Sequence, residues 1–178
     1  QNHIDAAFAR EGLADHGYRA EFSGLALTML RFFLSSRAGA ITEVPVTVKL
    51  MLGREEILVQ PDEVVVRPDG LRAVRRVRTG HMRSTESKDV CAAALILAVK
   101  QSFPGAIAEL LHLSDGETSV IALSDRELKG RKDKLAKFLE NIRAGLFPTT
   151  LSPRTCPNCP AFFICGPTPD GPLKKKFA

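Results

Sequence analysis

The chain has 178 residues, 44% of them hydrophobic and 25% charged, a globular balance that excludes disorder, collagen and coiled coil. Lys plus Arg is 25 against 20 Asp plus Glu, so the net charge of +5 permits nucleic acid without demanding it. Ten Phe, one Tyr and no Trp argue against a base-stacking platform of the single-strand-binding kind.

No membrane span is expected: the longest strong apolar run, Val90 to Val99, is about half of what a bilayer needs. Gln1 opens the chain without a basic segment leading into an apolar one, so no signal peptide is in view. The chain reads as an excised piece of a longer protein, and part of any site could lie upstream of Gln1.

In chain order, Ile4 to Ala14 is a weak helix. Glu21 to Arg37 carries Phe22, Leu25, Ala26, Met29, Leu30 and Phe33 at helical spacing. Ala38-Gly39 closes this zone, and residues 1–37 are expected to pack on the core as a helical segment. Glu43 to Met51 alternates Val44, Val46, Val48 and Leu50 against Pro45, Thr47 and Lys49, the pattern of a half-buried strand. Leu52-Gly53-Arg54 turns it. Strands at Ile57–Val59 and Val64–Val66 follow, split by Pro61. Pro68-Asp69-Gly70 is a turn, and Leu71 to Arg78 returns as a strand.

A helix from about Ser87 to Ser102 is apolar nearly all round and reads as buried. Ala106 to Leu113 and Thr118 to Leu123 are strands joined at Ser114-Asp115-Gly116. Ser124-Asp125-Arg126-Glu127 is a capping box that starts a helix to Ala144, stopped by Gly145. The order predicts an α/β fold, a mixed central sheet flanked by helices, over residues 38–146. Residues 147–178 form an irregular, Pro- and Cys-rich tail.

In that tail Cys156, Cys159 and Cys165 form C-x2-C-x5-C, which aims thiolates at one centre and suits zinc or an iron–sulfur cluster. A disulfide plus a spare thiol is the competing reading, disfavoured because nothing indicates an oxidising compartment. Cys91 is a weak candidate for a fourth ligand; inside the apolar helix its default is a packed, inert thiol.

Arg67, Arg72, Arg75, Arg76, Arg78 and Arg83 put six guanidiniums in seventeen residues, with only Asp69 opposing them in that stretch. On the strand, Arg72, Arg76 and Arg78 share one face. Arginine forks match phosphate oxygens, so Arg67, Arg72, Arg76, Arg78 and Arg83 are nucleic-acid-binding candidates; a solvated strand face is the bland alternative.

The ordered set of motifs resembles the RecB-type branch of the PD-(D/E)XK nucleases. The segments are Glu43-Val44-Pro45-Val46, Pro61-Asp62-Glu63-Val64, the Asp69-Gly70 turn, Val77-Arg78-Thr79-Gly80, the apolar helix, Ser114-Asp115-Gly116-Glu117 and the capped helix. The Cys-x-x-Cys-Pro tail resembles the iron–sulfur branch of that family. Cys165-Gly166-Pro167 and Asp170-Gly171-Pro172-Leu173 resemble the C-terminus of bacterial UvrD-like helicases. The likeness covers about residues 20 to 173. It implies a restriction-endonuclease-like core, a structural [4Fe-4S] cluster on the three tail cysteines, DNA and the upstream helicase domains of the same polypeptide as partners, and a bacterial cytoplasmic setting. The family's first cluster cysteine would fall upstream of Gln1.

The departures from the family pattern are specific. The helix His expected four residues after Gly24 is Thr28. Asp62 keeps the first metal-binding acid. The D-x-K-T-G ending is Arg76-Val77-Arg78-Thr79-Gly80, so the second carboxylate is Arg76 and the lysine is Arg78. The family's glutamine falls near Cys91. Mg2+-dependent hydrolysis needs converging carboxylates, and swapping one for a guanidinium moves the local charge by two units. A guanidinium stays protonated in proteins, so an arginine at position 78 cannot replace the lysine as a proton shuttle. Asp62 is expected to pair with Arg76 or Arg78. The domain therefore reads as a nuclease fold that has lost its chemistry and binds DNA or the helicase core, in DNA repair or recombination. Two alternatives stay open: an active nuclease with a migrated carboxylate from Glu43, Glu55, Glu56 or Glu63, and a zinc-stapled protein-interaction module.

Overall fold

A computed structural model describes residues 1–147, 151–153, 156 and 159. Two compact units divide the chain, residues 1–137 and 138–178. The first unit opens on helices α1 (Asn2–Arg10) and α2 (Arg19–Ser35). Strands β1 (Ile41–Glu43), β2 (Val48–Leu52), β3 (Glu55–Val59), β4 (Glu63–Val66) and β5 (Arg72–Arg78) follow. A 3-10 turn at Glu86–Lys88 leads into α3 (Val90–Ser102), then β6 (Ile107–His112), β7 (Glu117–Val120) and α4 (Asp125–Arg143).

The fold is α/β with a mixed central sheet of order β1-β4-β5-β6-β7. Only the β5–β6 pair is parallel, because α3 carries the chain back across one sheet face between them. Val64, Val74, Ala108 and Leu110 meet Ala92, Leu95, Ile96 and Val99 of α3 there, and Leu128 of α4 joins the same core. Each apolar side chain taken out of water there stabilises the unit by roughly 25 cal/mol per Å2 of area buried.

The turn between β4 and β5 is built as its residues predict. The Gly70 amide donates to Arg67 O, and Asp69 Oδ1 accepts from the Leu71 amide. Gly70 sits at φ +81, where a side chain would be strained. The hairpin β2–β3 forms a separate two-stranded sheet. Gln101 of α3 holds it: its amide oxygen accepts from Met51 N at 3.0 Å and its amide nitrogen donates to Met51 O at 3.1 Å. A side-chain amide thus takes the place of a neighbouring strand.

Three expectations need correction. The run from Glu43 to Met51 is not one strand. It breaks at residues 44–47, where Val44 is 86% and Val46 56% exposed. Pro45 has no N–H for a ladder, and the chain leaves the main sheet there to enter the hairpin. Helix α2 forms as the spacing predicts, yet none of its residues is buried. The apolar helix starts at Val90 rather than Ser87, because Asp89 caps it by accepting from the Ala92 amide at 2.7 Å. Among the described residues no helix is long and apolar enough to cross a membrane.

Candidate nucleic-acid interface

Asp62 precedes β4, and its amide donates to Arg75 O at 2.9 Å, extending the β4–β5 ladder. Its carboxylate Oδ2 accepts from the Val77 amide at 2.7 Å. Arg76 Nε lies 3.4 Å from the same oxygen, and Arg76 Nη1 donates to Gln60 O at 2.6 Å. The acid is therefore engaged by a backbone amide and a guanidinium, and the guanidinium is itself anchored.

Two residues further along β5, Arg78 Nε lies 3.0 Å from Glu86 Oε1, although not aligned with it as a hydrogen bond. Arg78 borders a cleft of about 490 Å3 at the C-terminal end of β5. Thr79, His81, Arg83, Thr85, Glu86 and Asp89 also line it. Arg83 is exposed and has no ion pair among the described residues. A smaller cavity of about 260 Å3 lies between the hairpin, β5 and α3, bordered by Arg76, Arg78 and Cys91.

The rest of the arginine series is not an open comb. Arg75 is buried and directly opposite Glu63 on β4 and Glu109 on β6. Its Nη1 reaches Glu63 Oε2 at 3.2 Å and its Nε reaches Glu109 Oε2 at 2.9 Å. Arg37 binds the other oxygen of Glu63, and Arg67 the other oxygen of Glu109. Arg67, expected among the phosphate contacts, instead closes this buried ladder with its guanidinium. Arg72 pairs with Glu43 at 2.9 Å and lies over the Phe103 ring at 5.6 Å. Acids distant in sequence thus meet the arginines that looked unopposed.

The other candidates fall as follows. Thr28 is exposed on α2, and its hydroxyl donates to Gly24 O at 3.0 Å. Among the possible migrated acids, Glu43 and Glu63 have the partners just given and Glu56 pairs with Lys49 across the hairpin at 3.2 Å. Glu55 lies on β3. Among the described residues no three His, Cys, Asp or Glu side chains converge as a metal-holding group. Cys91 is not the packed thiol expected: it is exposed at the start of α3.

Cys156 and Cys159 share one turn, with the Cys159 amide donating to Cys156 O at 3.0 Å. Cys156 Sγ accepts from the Ser152 amide at 3.3 Å. Both are free thiols, and an N–H to sulfur bond like the one on Cys156 is of the kind a thiolate ligand accepts. Cys165 lies outside the described residues.

Sequence reasoning missed the clamp on the loop after β5. His81 Nδ1 lies 2.6 Å from Asp115 Oδ1, the Met82 amide donates to Asp115 Oδ2 at 2.5 Å, and Ser114 Oγ donates to Thr79 O. The His81 and Met82 hydrogen bonds hold the Asp115 carboxyl below the ordinary range. Ser-Asp-Gly signals a turn; that its acid reaches across to another loop is invisible in the local sequence. No protein-family description matches the chain, and no curated protein is significantly similar to it.

Proposed function

We propose that this chain is a PD-(D/E)XK-like domain that has lost metal-dependent hydrolysis and binds DNA phosphates at the C-terminal end of β5. It serves as a DNA-holding domain of an ATP-dependent helicase acting in repair or recombination. The observation that carries the reading is the Arg76 guanidinium beside the Asp62 carboxylate, on the strand position where the family's second carboxylate belongs. A divalent cation brought to Asp62 meets a fixed positive charge and a carboxylate already accepting a hydrogen bond. Phosphate oxygens can be met instead by Arg78, whose hold on Glu86 is poorly aligned, and by Arg83, which has no ion pair among the described residues. The mixed sheet with one parallel crossover supports the same reading, though fold alone does not assign activity.

Cys156, Cys159 and Cys165 would hold an iron–sulfur cluster, which supplies a covalent staple for the tail and no chemistry at the cleft. Absorbance near 400 nm, lost in Cys156→Ser/Cys159→Ser, is the expected signature; stoichiometric zinc in its place supports the interaction-module reading.

The decisive experiment is a nuclease assay with Mg2+ and Mn2+ on single- and double-stranded DNA, run beside a salt titration of binding. Binding with a steep salt slope and no cleavage is expected. Metal-dependent cleavage abolished by Asp62→Ala overturns the reading and means that a migrated acid serves. Absence of DNA binding at low salt overturns it in the other direction.

A further inference from the structure

Two cavities of unlike chemistry meet at one side chain. Arg78 lines both the polar cleft beyond β5 and the smaller cavity under the hairpin. The smaller one has apolar walls from Ile57 and Val59 of β3, Leu95 of α3 and Leu110 of β6, with Cys91 beside them. Its volume, about 260 Å3, falls below the ~300–1,000 Å3 of ordinary small-molecule sites. It suits one flat ring system rather than a whole nucleotide. Arg76, the second guanidinium bordering it, is held by Asp62 and Gln60 and so is fixed in place.

A nucleotide has the same division: an anionic phosphate at one end and a flat, largely apolar base at the other. We propose that the hairpin cavity accepts one unpaired nucleobase while Arg78 and Arg83 hold its phosphate in the adjoining cleft. This rests on the phosphate-binding reading above and adds the substrate class. Apolar side chains can sandwich a base taken out of its stack, so the scarcity of aromatic residues is no obstacle. A base inside a duplex cannot enter without leaving the stack, so the site selects single-stranded nucleic acid.

The experiment compares three probes on the full chain by fluorescence anisotropy: a thymidine dodecamer, an abasic dodecamer with the same phosphates, and a 12-base-pair duplex. The thymidine strand is expected to bind about tenfold tighter than the abasic one, the gain of burying one base. Cys91→Trp, a change at an exposed position that plugs the cavity mouth, is expected to bring the two strands to equal affinity. N-ethylmaleimide labelling of Cys91, read by peptide mass, is expected to be slowed by the thymidine strand and not by the abasic one. Equal wild-type affinity for the two strands, each with a steep salt slope, overturns the base site and leaves the phosphate reading standing. No binding of any probe overturns the phosphate reading itself. A preference for the thymidine strand that survives in folded Cys91→Trp shows that the base goes elsewhere and overturns the assignment.

Discussion

Arg75 shows how strongly one residue can depend on strands it cannot see. It is nearly inaccessible and lies between two carboxylates that register places directly across from it. Removing one member of such a buried network leaves the others uncompensated, so Arg75→Ala is expected to cost about 3–5 kcal/mol in a urea denaturation. An unchanged midpoint would mean that Glu63 and Glu109 find other partners. Asp115 makes a different test. Its pKa is lowered in the folded chain, so its clamp is fully present above the ordinary value of 3.8 and is lost as pH falls below it. Asp115→Ala is expected to speed hydrogen exchange at the Met82 amide at neutral pH, since the side-chain oxygen that accepts from it is gone. Unchanged exchange at that amide would place the loop's order in other contacts.

At the scale of elements, the start of α4 is legible to the atom. The Ser124 hydroxyl and amide both donate to Glu127 Oε2, and the Glu127 amide donates to Ser124 Oγ. Ser124→Ala is expected to lower stability by about 0.5–2 kcal/mol, measured by thermal denaturation. The Ser124 bonds pull the Glu127 pKa down from 4.5, so this end of the helix weakens as pH drops below 4.5 and is insensitive above it. The hairpin shows the limit of element-level reading. Its strands follow from alternation, but its seat on α3 depends on Gln101, a polar residue near the end of an apolar helix. Gln101→Met keeps the volume and removes both backbone bonds, so amide exchange at Met51 is expected to rise without a change of fold.

For the whole molecule, net charge is a poor guide to where positive potential resides. Arg67, Arg72, Arg75 and Arg76 are engaged by carboxylates and Arg78 lies beside Glu86 without an aligned hydrogen bond, which leaves Arg83 as the member of the series with no ion pair among the described residues. In the salt titration Arg83→Ala is expected to lower the slope of log affinity against log salt by about 1. Arg67→Ala is expected to lower stability and leave that slope unchanged, because its guanidinium faces Glu109. Equal slope changes in the two variants would return Arg67 to the phosphate contacts.

The sequence by itself determined the period-2 and period-3.6 segments, the turns at Gly53 and Gly70, the capping box, the α/β class and the sharing of one strand face by Arg72, Arg76 and Arg78. Each of these depends on neighbours within a few positions, where side-chain alternation and turn chemistry act. Tertiary structure alone decided which acids meet which arginines, that Arg75 is buried, that Cys91 is exposed beside a cavity, and that the loop after β5 is tied to Asp115. These rest on strand register and on a parallel crossover, which bring together residues from Glu43 to Glu109. Charge pairing over such distances leaves no periodic trace along the chain, because it is fixed by the sheet.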